Sequence, residues 1–216
     1  SPGPLAAPRE ELRGAGRDLL VRHGAPREGV PGVADEFGAE RVTWNRQYSG
    51  LARDRDAAVR RALDDVGVAR EAVHDAVHHE PGSITTNDGD PYSVFTYFGR
   101  KWHDREKEPP YPAPSGDDLV SAADLPDAKA LPTVDDLGFD EPTATLPEAG
   151  TEAARERLAA FCDGPIYEYD EAREYPARDG TSGLSPHLAW GAIGVREVYD
   201  AAADARAGVE GGADEA

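Results

Sequence analysis

From Gly180 to Gly191 the chain reads Gly-Thr-Ser-Gly-Leu-Ser-Pro-His-Leu-Ala-Trp-Gly, with three hydroxyl residues and the glycines Gly180 and Gly183 gathered around the start of a helix expected to open at Pro186. Hydroxyls beside the unpaired N–H groups of a helix start can hold an anion. Such a site suits the phosphates of a nucleotide or dinucleotide. The same residues would also serve as an ordinary helix cap.

Other groups with chemical potential read more plainly. His74, His78, His79 and Glu80 could suggest zinc, since His at i and i+4 can share a helical face. Here they sit where a strand enters the Pro81-Gly82 turn, and their spacing matches no standard zinc site, so a surface cluster is expected and no metal ligand is assigned. The pairs Asp64-Asp65, Asp117-Asp118 and Asp135-Asp136 read as solvated surface. There is no P-loop, no G-x-S-x-G elbow and no Ser/His/Asp arrangement. No catalytic residue is named.

The elements that would position these groups fall into two styles. Pro8 to Gly16 reads as a helix with Leu12 on its apolar side, Asp18 to Arg22 as a buried strand, and Val30 to Phe37 as a helix ending near Gly38. Arg41 to Trp44 reads as a strand. Leu51, Ala58, Ala62, Leu63 and Val66 recur at helical spacing before Gly67, and Val73 to Val77 would make a third strand. Strands alternating with helices predict a parallel sheet in an α/β layer, with ligands bound at the strand carboxyl ends. The loop after Trp44 is therefore the place to look. Ser93 to Glu106 predicts a helix with Val94, Phe95, Phe98 and Trp102 as a core-facing stripe.

Between Glu108 and Gly150 lie eight prolines and a single base, Lys129. Repeated Pro breaks helix and ladder alike, so this is a semi-extended linker. Helical signals return at a capped start, Thr151 to Ala154, with Ala154, Leu158, Phe161 and Cys162 on one face. A helix over Ile166 to Glu174 and another over Val195 to Ala207 follow, and the Gly/Ala/acid tail from Gly208 to Ala216 should be frayed.

Around the hydroxyl-rich loop the chain carries Phe161-Cys162, Tyr169, Arg173, Pro176-Ala177, Asp179 and then, beyond the loop, Ile193 and Arg196. This pattern resembles the flavin-binding region of the DNA photolyase/cryptochrome family at more than a dozen positions. Two further blocks resemble the same family in the same order. One is Trp44-Asn45-Arg46-Gln47-Tyr48 with Arg55-Asp56. The other is Pro81-Gly82-Ser83-Ile84, Gly89 to Phe98 and Lys101-Trp102. The resemblance runs from about Asp18 to Tyr199 and places the chain in the middle of a photolyase, at less than half of a full-length member.

The resemblance implies three parts. Residues 1–107 would be an N-terminally incomplete, Rossmann-like parallel-sheet antenna domain, 108–150 the linker, and 151–216 the opening helices of an all-α FAD domain. It implies FAD as cofactor, held by Tyr169, Thr181, Ser182 and Ser185 with backbone N–H groups of Gly183 and Leu184. The family usually has Arg where Gly183 stands and Ser where Gly194 stands, so a charged contact near the phosphates is missing at 183. Asn45, Arg46 and Tyr48 lie near the family's antenna chromophore, a deazaflavin or a folate. Ser49 replaces the acid that contacts folate in some members. The implied parent flips damaged bases out of DNA and splits cyclobutane pyrimidine dimers by electron transfer from excited reduced FAD. Electron-relay tryptophans and most of the DNA surface would lie in later helices. Trp44, Trp102 and Trp190 do not align with the relay. A cryptochrome-type photosensor and a truncated, non-catalytic remnant are the alternatives. The piece alone should have little or no repair activity.

Composition agrees with a salt-adapted chain. There are 42 acidic and 23 basic residues, a net charge of −19, with Lys nearly absent among the bases. In molar salt such charge is screened within roughly 3 Å. The acidity argues against nucleic acid binding over the whole surface. One cysteine excludes an internal disulfide framework and fits a reducing cytoplasm. No apolar run has the length of a membrane span. The expected state is a cytoplasmic monomer.

Overall fold

The computed structural model describes residues 5–115, 118–125, 130–140 and 142–214. Asp117 and Lys129 lie outside them. The chain divides into two compact units: Arg22–Glu108, and the segment up to Val21 together with everything from Pro109 onward.

The first unit is built on a βαβ motif. Strand β1 (Arg41–Asn45) pairs in parallel with β2 (Ala69–Val73), with Arg41 opposite Ala69 and Asn45 opposite Val73. Helix α3 (Gly50–Asp65) connects them and buries Ala52, Asp56, Val59 and Leu63, which recur every three or four residues. Ser49 caps α3 by accepting the Ala52 N–H at 3.3 Å. Helix α2 (Pro26–Glu36) packs against α3, with Pro26 in its first turn and Ala34 buried. It begins four residues before the expected Val30, because Pro at a helix start costs no hydrogen bond.

Two expected strands differ. The predicted third strand, Val73 to Val77, overlaps β2 only at Val73. The polar half of β2, Ala69 to Glu71, carries no apolar signal, and its pairing with β1 decides the element. Asp18 to Arg22 is not a strand. Instead Asp18 is clamped by Arg9 Nε at 2.7 Å and Arg13 Nη2 at 3.1 Å, and it accepts the Leu19 N–H at 2.7 Å. The two guanidiniums and this backbone bond hold its carboxyl far below the usual carboxylate range.

Helix α4 (Phe95–Asp104) also departs from expectation. Its aromatic stripe is not core: Phe95 and Val94 are exposed, and Phe98 and Trp102 only half-buried. Trp102 instead meets His78 and His79 edge-on, at ring separations of 5.6 and 5.8 Å. The Lys107 ammonium lies 4.2 Å from the Trp102 ring and caps the helix by donating to the His103 carbonyl at 2.8 Å. The histidines are thus half-buried against an indole rather than a loose surface cluster. Burial lowers the His79 pKa.

In the second unit, α1 (Ala6–Gly14) buries Arg9 rather than an apolar stripe. Helix α5 (Thr151–Cys162) starts at Gly150, which has φ +115 and sits against Ala7. Its N-cap is this glycine, and no side chain caps the helix, so the expected Thr151 cap is absent. A 3₁₀ turn at Pro165–Glu168 and the short α6 (Tyr169–Ala172) replace the single helix expected over Ile166 to Glu174. Helix α7 (Ser185–Ala189) leads to α8 (Val195–Asp214), which continues past Gly208, where fraying was expected, as far as Asp214; Glu215 and Ala216 lie outside the described residues. Tyr167 Oη donates to the Ala205 carbonyl at 3.3 Å and Arg155 pairs with Glu197 at 2.6 Å, holding α8 on its neighbours. The core joins Ala154, Leu158, Leu184 and Ile193, with Cys162 half-buried beside them. Burial raises the Cys162 thiol pKa.

The linker region also belongs to this unit. Arg196 donates to the Pro109 carbonyl at 3.3 Å and lies 4.7 Å from the Tyr111 ring, and the Ala122 N–H reaches the Gly16 carbonyl at 3.0 Å. One acid of each sequence pair has a local partner. Asp64 pairs with Arg70, Asp118 accepts from Ser115, and Asp136 accepts from Thr133.

Candidate functional site

The hydroxyl-rich loop is built from backbone outward. Gly180 lies against Ala172: a Cβ there would fall 2.4 Å from the Ala172 methyl. Gly183 adopts φ +60, a conformation that side chains resist. Between them and α7, Leu184 turns into the core at 1% exposure while Thr181 and Ser185 face solvent and Ser182 is half-buried. Ser182 Oγ accepts the Leu184 N–H at 3.5 Å. One apolar anchor thus presents the Thr181 and Ser185 hydroxyls to solvent, with the half-buried Ser182 hydroxyl turned back on the Leu184 N–H.

Tyr169 stands on α6, the same short helix whose Ala172 touches Gly180. Its ring meets Phe161 edge-on at 6.1 Å, with the Arg173 guanidinium 5.8 Å from it. The sequence reading missed Arg157. This residue comes from α5, and its Nε donates to the Ser182 carbonyl at 2.7 Å. The only hint was the glycine at 183, which leaves room for it.

The second place is a cleft of about 420 Å³ in the βαβ unit, beside the carboxyl ends of β1 and β2. Trp44, Tyr48 and Arg46 line it from the β1 side, Arg53, Asp56 and Arg60 from α3, and His74 and Glu80 from beyond β2. The Tyr48 hydroxyl and His74 Nδ1 are 2.9 Å apart, and the two rings stack at 6.0 Å. His74 Nε2 lies 3.0 Å from Glu80 and 3.1 Å from Arg46 Nη1. If Nε2 carries the proton, it donates to Glu80 and Nδ1 accepts the Tyr48 O–H. In the other tautomer Nε2 accepts from Arg46 and Tyr48 is free to donate into the cleft. Burial, and then the Glu80 charge, raise the Tyr48 pKa, while Arg46 opposes them.

Trp44 Nε1 and Arg46 Nε are buried donors with no partner among the described residues. Unpaired buried donors favour a ligand that brings acceptors. Three guanidiniums against two carboxylates, with an indole and a phenol, suit a planar group with oxygen acceptors. Arg46 and Tyr48, expected from sequence, are therefore in the cleft. Asn45 is exposed at the strand end and does not line it. Ser49 is occupied as the α3 cap. Among the described residues no group of three or more His, Cys, Asp or Glu could hold a metal, and no helix is long and apolar enough to cross a membrane.

The family model described as DNA photolyase matches residues 4–115. The chain belongs to the DNA photolyase family. Over 203 residues, 94% of its length, it is 57% identical to a deoxyribodipyrimidine photo-lyase of Halobacterium salinarum, and covers 42% of that protein. Among solved structures it superimposes on a class III photolyase from Agrobacterium tumefaciens with a TM-score of 0.76 at 30% identity, covering 91% of this chain and 42% of that one. A Synechocystis cryptochrome matches with a TM-score of 0.74 at 21% identity, covering 89% and 41%, and so shares the fold. The chain thus spans about two fifths of the length of each of these proteins.

Proposed function

We propose that this chain is the antenna-side and flavin-loop portion of a light-dependent DNA-repair lyase that splits cyclobutane pyrimidine dimers. The observation that carries this is the Thr181–Ser185 loop, a set of outward hydroxyls on a buried leucine with a guanidinium beneath. Neutral hydroxyls, backbone N–H groups and one cation fit a diphosphate without a metal. Thr181, Ser182 and Ser185 would hold the phosphate-bearing part of FAD, with the Gly183 N–H, the Leu184 N–H once it leaves its bond to Ser182 Oγ, and Tyr169 flanking them. Bound and reduced, FAD supplies the photoexcited electron for ring splitting. The chain's own part is to fix that cofactor's anionic end against a rigid core.

The cleft fits an antenna chromophore, with acceptors meeting Trp44 Nε1 and Arg46 Nε. Deazaflavin and folate both carry such acceptors. Damaged DNA is the substrate partner, met through basic surface that a chain of net charge −19 does not offer broadly. The assignment is a cytoplasmic, monomeric enzyme working in high salt.

The test is to mix the purified chain with FAD in high-salt buffer, separate free flavin by gel filtration and record the spectrum. Flavin absorbance that elutes with the chain supports the reading. A colourless chain favours a binding module without a working flavin pocket. Retained flavin, with no dimer repair by a full-length relative carrying this same segment, favours a photosensor.

A further inference from the structure

Arg157 touches the loop at the one residue where the family resemblance expects a positive side chain. A Cβ on Gly183 would lie 2.2 to 2.5 Å from the Arg157 guanidinium atoms, so that group packs directly on the Gly183 backbone. Its Nε is spent on the Ser182 carbonyl, and Nη2 reaches Asp179 at 3.4 Å. Five N–H donors are available on a guanidinium, which leaves others for a ligand. Asp179 is 86% exposed and Arg157 40% exposed. A long, solvated pair of this kind is weak and yields readily to a better anion.

We propose that Arg157 is the diphosphate-facing cation of the Thr181–Ser185 loop, and that Asp179 is the internal counter-ion which a bound diphosphate displaces. The charge absent from position 183 is thus delivered from α5. The same guanidinium, through Ser182, holds the loop in its open left-handed turn. This rests on the flavin reading above, and it adds a residue and an exchange of anions that the reading does not require.

Titrations of the full chain with FAD and with riboflavin, which lacks phosphate, separate the possibilities. Arg157→Gln should weaken FAD binding about tenfold and leave riboflavin unchanged, with Arg157→Lys recovering part of the loss. Asp179→Asn should tighten FAD binding roughly two- to fivefold, an opposite change that misfolding cannot mimic. Equal losses of FAD and riboflavin in Arg157→Gln, or an Asp179→Asn chain no tighter than the parent, would overturn the proposal while leaving the flavin reading intact. Failure of the unaltered chain to bind FAD would overturn both.

Discussion

The Thr181–Ser185 loop is held by backbone conformation over a small apolar core, whereas the cleft beside β1 and β2 is held by charged and aromatic side chains. In the loop, a left-handed glycine, a packed glycine and one buried leucine set the geometry, and the hydroxyls follow. In the cleft, residues from three separate stretches converge, and Tyr48, His74, Glu80 and Arg46 hold one another through hydrogen bonds. The loop should therefore fail through packing, as an all-or-none loss. The cleft should respond to charge and pH by degrees, because a polar network in a half-buried place couples each proton to its neighbours.

Leu184→Ala is the most severe way to break this contrast. It removes a fully buried side chain from the Ala154, Leu158 and Ile193 cluster, and should cost about 2–5 kcal/mol of stability. Chemical denaturation would show a lower midpoint, and flavin retention should vanish with it. Gly183→Ala comes next, at about 1–3 kcal/mol, from the left-handed strain and the clash with Arg157. In an Arg157→Gln background the clash term should shrink, so the two changes should be non-additive in a double-mutant cycle. Additive costs would show that the guanidinium is not packed on this backbone.

Glu80→Gln should have the smallest effect and sharpens the other side of the comparison. Losing the Glu80 charge removes the second cause of the raised Tyr48 pKa, while burial, the first, remains. Ultraviolet titration should therefore find Tyr48 ionising at lower pH than in the parent, yet still above an ordinary tyrosine at about 10. Stability at neutral pH should hardly change. An unmoved titration would mean that Glu80 does not reach the phenol.

The same contrast explains what could be read in advance. The loop was legible because its determinants are contiguous: Gly180, Gly183, Leu184 and the hydroxyls follow one another. The α3 helix was legible in extent but not in its buried face: Leu51 and Val66 of the expected stripe are exposed, and Ala52, Asp56 and Val59 are buried with Leu63 instead. Arg157 was not legible, since it lies 25 residues before Ser182 and only tertiary packing brings it there. In the cleft, the β1 end announced Arg46 and Tyr48, but Asp56, Arg60, His74 and Glu80 had to be folded into place. Strand β2 was misplaced because ladder pairing, not hydrophobicity, fixes its limits. The α4 stripe misled for the opposite reason: strong helical periodicity states which residues share a face, not what covers it.

Cys162 gives the chain a built-in reporter. It is the sole thiol, it packs beside the cluster that anchors Leu184, and partial burial raises its pKa, which lowers the share of reactive thiolate. Because the thiol is half-buried beside that cluster, the rate at which a thiol reagent labels the unmodified chain reports how far the packing under the Thr181–Ser185 loop covers it. A ligand that settles on that loop should slow the labelling in proportion to its hold, so occupancy can be followed without light, activity or an engineered dye.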